Sequence, residues 1–142
     1  MGELFYCDYA LSELDISSFD TSNVTDMISM FRGVKVTKLD LSHFDTSRVT
    51  NMHGMFYQCG MLKDLDLTSF DTSKVTTMNS MFFSTYLNMY DLSSFDFSKV
   101  TNSSGMFLYV PTNSLIYVKD DVSKEFILGV RSDLSNVQIK QA

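Results

Sequence analysis

The hydrophobic positions of this chain recur with a period of 25 or 26 residues. Four segments share one order of apolar and polar residues: LDISSFDTSNVTDMISMF, LDLSHFDTSRVTNMHGMF, LDLTSFDTSKVTTMNSMF and YDLSSFDFSKVTNSSGMF. They begin at Leu14, Leu39, Leu65 and Tyr90. The leading apolar–polar–apolar triplet alternates with the period of a short β-strand. Four such segments predict a repeat architecture in which each unit packs against the next.

The second half of each repeat predicts a short helix. A cluster of Asp, Thr and Ser, typical of turns and helix N-caps, precedes apolar residues at helical spacing. In the first repeat these apolar residues are Val24, Met27, Met30 and Phe31. We therefore expect an α/β solenoid of about four 25–26-residue strand–turn–helix coils, with parallel strands on one side and helices on the other.

The two ends of the chain depart from the repeat. Residues 4–14 match residues 55–65, which predicts a partial coil over residues 1–13. Pro111 ends the fourth repeat, and the sequence beyond it predicts a strand, a helix and a last short strand. We thus expect one solenoid domain, with a half-coil at residues 1–13, four repeats at 14–114 and a C-terminal cap at 115–142. The uncapped N-terminal end also offers a surface for homodimer formation.

Composition and charge exclude several classes of protein. The chain has 142 residues, a formal net charge of -6 and a pI of about 4.6, which argues against nucleic acid as a partner. Its apolar runs are shorter than the roughly 20 residues that span a bilayer, so no membrane insertion is expected. Cys7 and Cys59 lie two coils apart, roughly 10 Å at the usual strand spacing. Because a disulfide needs Cα atoms within about 7 Å, both are predicted to be free thiols.

One column of acidic residues is the main candidate site. Asp15, Asp40, Asp66 and Asp91 occupy the polar position of successive strands, and Ser17, Ser42, Thr68 and Ser93 lie two residues further on, on the same outward face. At about 4.8 Å between strands, the four carboxylates would form a stripe roughly 15 Å long. Like charges in register repel, so the stripe needs hydrogen bonds or a basic partner. Both a structural role and a partner-binding role remain open at this point.

A few other positions are candidates for partner contacts. His43 replaces a Ser found in the other three repeats, and variable positions on a repeat scaffold are where specificity arises. The segments that follow each Met-Phe pair differ between repeats and contain Tyr57, Tyr86 and Tyr90. Tyr is enriched at protein interfaces, so an exposed group of these side chains is a second candidate surface.

Catalysis finds no support in the sequence. His43 and His53 are the two histidines, and no metal-binding, nucleophilic or glycine-rich phosphate-binding motif accompanies them. We therefore expect no enzyme activity, no metal and no cofactor.

The repeat carries a family resemblance. The unit LDLSSFDTSNVTDMxxMF looks like the repeat of BspA-like bacterial surface proteins, and its L-x-x-L-x-L-x-x-F strand segment is similar to a leucine-rich repeat. The resemblance covers roughly residues 4 to 140 and implies a leucine-rich-repeat-like solenoid. It also implies a secreted or surface-anchored protein that binds host proteins or other cells. We also expect no signal peptide in this chain, which leaves a cytoplasmic location open.

These observations lead to one expected function and two alternatives. We expect a non-enzymatic module that binds a protein with a basic surface through its acidic strand face, as a bacterial adhesin does. One alternative is an intracellular inhibitor, of phage or mobile-element type, that binds a basic, nucleic-acid-handling host protein. The other is a structural spacer repeat that binds nothing.

Overall fold

The computed structural model describes residues 14–141 of the chain. Its strands are β1 (Lys38–Leu39), β2 (Asp64–Leu65), β3 (Tyr90–Asp91), β4 (Ile116–Val118) and β5 (Val137–Ile139), and its helix is α1 (Asp121–Val130). The strands form two parallel sheets, one ordered β1–β2 and the other β3–β4–β5. Most of the remaining described chain consists of turns, bends and irregular backbone.

The predicted four-coil, leucine-rich-repeat-like α/β solenoid is wrong. Residues 14–114 contain no helix, their strands are two residues long, and the sheets are interrupted between β2 and β3. The single helix in the described residues lies after the repeats, where β4, α1 and β5 follow the strand–helix–strand order expected for residues 115–142. The half-coil, Cys7 and the proposed N-terminal dimer surface lie outside the described residues.

The predicted repeat helices are interrupted at one backbone position. The residue before the Met-Phe pair of each repeat has a positive φ: 52° at Ser29, 59° at Gly54, 56° at Ser80 and 67° at Gly105. A right-handed helix cannot continue through this left-handed region. The backbone instead closes successive tight turns, as where the Met30 N–H donates to the Met27 carbonyl at 3.3 Å. The apolar residues therefore have helical spacing in the sequence, but they lie on consecutive tight turns and not on an α-helix.

Alternate peptide groups of this segment point toward the next repeat. The N–H groups of residues 27, 29, 31 and 33 donate to the carbonyls of residues 51, 53, 55 and 57 at 2.8–3.0 Å. The N–H of Met52 shares a peptide group with the Asn51 carbonyl, and it donates onward to Thr77 at 2.9 Å. The same register joins the third and fourth repeats. The bonds therefore form four columns of peptide groups along the direction in which repeats follow one another.

The core lies beneath these columns and consists of repeated side chains. Met27, Met52 and Met78 have no exposed surface. The rings of Phe31, Phe56, Phe82 and Phe107 stack with centroids 5.5–5.9 Å apart and planes within 16° of parallel. The pattern of apolar positions thus predicted the buried residues correctly, although it predicted the wrong backbone conformation.

A buried threonine joins each repeat to the next. The Thr46 hydroxyl accepts the Asp71 N–H at 2.8 Å and donates to the Asp71 carbonyl at 3.0 Å. Thr21 and Thr72 make the same pair of bonds to Asp45 and Asp96. The fourth repeat has Phe97 at this position, and its ring stacks on Phe126 of α1 at 4.5 Å. This substitution replaces a bond to a further repeat with an apolar contact to the helix.

The helix α1 closes the end of the core. Asp120 is its N-cap and accepts the Ser123 N–H at 2.8 Å. Ile127 is fully buried, whereas Val122 in the first turn is 76 % exposed. The Arg131 guanidinium, just after α1, donates to the carbonyls of Phe107 and Val110. It thereby satisfies acceptors at the last repeat.

We predict that Thr46→Val destabilises the protein by about 1–3 kcal/mol, because the Asp71 N–H and carbonyl lose their buried partner. Thr46→Ser keeps the hydroxyl and should retain most of the stability. Urea unfolding followed by circular dichroism measures the difference, and equal losses in both variants would contradict a role for the hydroxyl.

Candidate functional site

The strand-side Asp column comprises Asp15, Asp40, Asp66 and Asp91, and each member is held by the residue two positions on. The Oδ1 atoms accept the backbone N–H groups of Ser17, Ser42, Thr68 and Ser93 at 2.9–3.1 Å. The hydroxyls of Ser42, Thr68 and Ser93 also donate to the same Oδ1 atoms at 2.6–2.7 Å. The predicted hydroxyl column therefore lies beside the carboxylates and orients them.

The second oxygen of each carboxylate has a different role. Among residues 14–141, the Oδ2 atoms of Asp15, Asp40 and Asp66 accept no hydrogen bond. The Oδ2 of Asp91 accepts the Lys140 ammonium, which extends from just beyond β5. One member of the column thus already binds a lysine of the same chain, and three members present a carboxylate oxygen to solvent.

These contacts keep the column ionised. The backbone N–H and hydroxyl of Ser42 hold the pKa of Asp40 below the ordinary aspartate value of 3.8. The Thr68 hydroxyl and N–H lower the pKa of Asp66, although the charges of Asp91 and Asp40 oppose this shift. Burial raises the pKa of Asp91, but hydrogen bonds from Lys140 and Ser93 outweigh it. The stripe is therefore negative at neutral pH.

The column borders a cleft where the two sheets separate. This β2–β3 cleft has a volume of about 410 Å³. It is lined by Lys63, Asp64, Leu65, Asp66, Thr68, Asn88, Met89 and Asp91. Asp66 and Asp91 therefore lie at a concave site, while Asp15 and Asp40 border a smaller hollow of about 130 Å³ beside His43.

His43 lies on the same face as the column. Its Nε2 is 3.0 Å from the Ile16 carbonyl, and the equivalent Ser94 hydroxyl donates to the Leu67 carbonyl at the same distance. The ring packs edge-on against Phe44. His43 therefore makes the same kind of inter-repeat contact as the serine found in the other repeats, and its side chain remains exposed.

The three candidate tyrosines have different environments and form no single patch. Tyr57 is half-buried between the Arg32 guanidinium, 4.5 Å from its ring centre, and Phe83, stacked at 4.3 Å. Tyr86 is 42 % exposed, whereas Tyr90 is 1 % exposed and its hydroxyl bonds to Thr85. Burial raises the Tyr90 pKa to about 12. Tyr90 belongs to the core, so its inclusion in an exposed surface was wrong.

A second acidic column has a structural role. Asp20, Asp45, Asp71 and Asp96 accept the N–H groups of Ser22, Ser47, Ser73 and Ser98, each at 2.9 Å. These bonds close turns of the kind that Asp side chains favour. Arg48 lies three residues after Asp45, and its guanidinium donates to the Asn23 side chain at 2.8 Å rather than to an Asp.

Sequence reasoning missed several residues of the site. Lys140 was assigned to a strand of the cap, but its ammonium reaches Asp91, 49 residues away. Asp64 and Met61 were not singled out because they lie in the segment where the repeats differ in length and sequence. The only available signal was that this segment is the least conserved between repeats of the chain itself.

Residues 14–141 contain no helix that is long and apolar enough to cross a bilayer, and no three of their His, Cys, Asp or Glu side chains are grouped to hold a metal ion. Cys59 is buried, its thiol donates to the Phe31 carbonyl at 2.9 Å, and burial raises its pKa to about 12.

Comparison with known proteins identifies one family. A family model described as "Mycoplasma protein of unknown function, DUF285" matches residues 1–116. No curated protein and no solved structure matches the chain.

We predict that stability falls with pH below about 4. Among residues 14–141, ten Asp residues have a folded-state pKa below the ordinary aspartate value of 3.8: Asp15, Asp20, Asp40, Asp45, Asp66, Asp71, Asp91, Asp96, Asp120 and Asp133. Their stabilisation is fully present above the unfolded pKa and is lost as pH falls through the lower folded pKa. Urea unfolding from pH 7 to pH 2 measures it, and constant stability across this range would refute the assignment.

We also predict that Lys140→Met raises the pKa of Asp91, because burial then acts without the opposing ammonium. A ¹³C carboxyl titration by NMR measures the shift. Lys124→Met removes a charge of α1 that is not among those acting on Asp91, and serves as the control. An Asp91 pKa that does not respond to Lys140→Met would show that the ion pair is absent in solution.

Proposed function

The chain belongs to the Mycoplasma protein family DUF285, and on that premise we propose that it is a non-enzymatic protein-binding module. Its partner carries a basic surface and docks on the strand-side Asp column. The family description assigns no activity, so the proposal is based on the geometry of this chain.

One observation carries the proposal: Asp91 binds the Lys140 ammonium through Oδ2, the atom that Asp15, Asp40 and Asp66 leave without a hydrogen bond. All four carboxylates are oriented through Oδ1 by the same kind of turn. A basic side chain from another protein would therefore meet three oxygens positioned like the one that Lys140 contacts.

Electrostatics supports a basic partner. The carboxylates of Asp40 and Asp91 both act unfavourably on Asp66, so a cation beside it relieves repulsion. The formal net charge of -6 also favours encounter with positively charged surfaces and disfavours nucleic acid. Interactions of this kind increase the association rate and fix orientation, and they weaken as salt rises.

The biological setting follows from the resemblance of the repeat to BspA-like bacterial surface proteins. We propose that the partner is an extracellular protein of a host and that the module acts at the bacterial surface. The four repeats support this setting, since each places an Asp and, two residues further on, a Ser or Thr at the same positions.

We predict that Asp40→Asn combined with Asp66→Asn abolishes partner capture and leaves the fold intact, because an Asn Oδ1 still accepts the turn hydrogen bonds. Tagged protein is incubated separately with host extracellular proteins and with bacterial lysate, and retained proteins are identified by mass spectrometry. Glu125→Gln, which removes one charge from the exposed side of α1, is the matched control.

An extracellular protein that is retained by the control, released by salt and lost with the double variant supports the proposal. Capture of one intracellular nucleic-acid-binding protein with the same dependence on Asp40 and Asp66 would replace the adhesin role with that of an inhibitor. Capture unaffected by the double variant, or no capture at all, would rule out binding through the Asp column.

A further inference from the structure

We propose that the β2–β3 cleft is the anchor point of the binding surface and receives a lysine side chain flanked by an apolar residue of the partner. This inference rests on the proposed function and specifies which part of the strand face holds the partner and which side chain it accepts.

The cleft exists because the strand ladder is interrupted. β1 pairs with β2, and β3 pairs with β4, but β2 and β3 belong to separate sheets. Asn88 bridges them, since its N–H donates to the Lys63 carbonyl at 3.0 Å and its Nδ2 to Asp64 at 3.2 Å. The Tyr90 N–H then turns away and donates to Leu115. The two strands therefore leave a concave space of about 410 Å³ between them.

An apolar shoulder lies beside this space. Met89 lines the cleft and is 40 % exposed. Tyr86 is 42 % exposed and lies against Gly60, where a Cβ would be 3.7 Å from its ring. Met61, next to Gly60 in sequence, is 51 % exposed. The Lys63 ammonium, which also lines the cleft, lies 5.8 Å from the Tyr86 ring centre, so Met89 and Tyr86 flank the cleft and an apolar side chain of a partner would cover them.

The lining of the cleft favours lysine as the inserted side chain. The four methylenes of lysine can lie along Leu65 and Met89 while the ammonium reaches the carboxylates of Asp64 and Asp66. Asp91, at the other side of the same cleft, already binds the Lys140 ammonium, so the chain itself provides an example of the contact. The charges that act on Asp66 are those of Asp91 and Asp40, both negative. Lys63 also lines the cleft and Lys140 pairs with Asp91, so two ammonium groups stand against three carboxylates and one net negative charge is left for a cationic occupant.

The test uses the whole ¹⁵N-labelled chain and two synthetic peptides. Acetyl-Leu-Lys-Leu-amide is the probe, and acetyl-Leu-norleucine-Leu-amide is the control without the charge. We expect saturable shifts of the Leu65, Asp66, Thr68 and Met89 amides with the lysine peptide. Asp66→Asn should weaken its binding by about fivefold or more, corresponding to loss of one charged contact. Asp15→Asn, in the same column but outside the cleft, should leave the affinity unchanged.

The outcomes separate this inference from the proposed function. Equal binding of both peptides, shifts spread evenly along the Asp column, or no saturable binding would each overturn the lysine anchor. A second variant, Met89→Ala with Tyr86→Ala, alters only exposed side chains and should reduce partner capture. If capture survives this variant but is lost with Asp40→Asn and Asp66→Asn, the anchor is wrong and the strand-face function remains. If neither variant affects capture, both proposals fail.

Discussion

Hydrogen bonds between alternate peptide groups of neighbouring repeats are the interaction on which the rest of this structure depends. Each such group accepts from one repeat and donates to the next, so columns of aligned peptide dipoles extend through the described repeats. Aligned hydrogen bonds polarise one another, which strengthens the columns in the buried interior. The fixed register places Phe31 on Phe56 and Met27 beside Met52, so apolar packing follows from the backbone arrangement.

The same register creates the candidate site. Because successive repeats align residue by residue, four Asp side chains come into one column and must tolerate mutual repulsion. Turn hydrogen bonds to each Oδ1 offset part of that cost and orient each Oδ2 outward. Lys140 neutralises one end, and the interruption between β2 and β3 opens a cleft beside Asp66. The acidic surface is therefore a consequence of strict repetition, whereas the cleft results from a local departure from it.

Much of the interior was predictable from the sequence, but the backbone was not. Val49, Met52 and Phe56 occupy the apolar positions that recur in each repeat, and all three are buried, since apolar residues recurring at fixed positions share an interior. Their spacing also fits a helix, and that interpretation was wrong because Gly54 and its equivalents adopt a positive φ. Ser occupies this position in two repeats, so no glycine pattern marked the interruption. At the site, the Asp and hydroxyl columns were predictable, whereas Tyr90 was misplaced and Lys140 was missed.

The sequence by itself determined which residues are equivalent, which side chains form the core and which acidic groups align. Those features depend on periodicity, and periodicity is a property of the chain. Only the tertiary structure decided where each peptide N–H donates. A peptide N–H can donate either within its own turn or to another segment of the chain. The neighbouring repeat supplies the acceptors that decide between these two bonds. The Asp91–Lys140 contact and the β2–β3 cleft depend in the same way on residues distant in sequence, which no local pattern records.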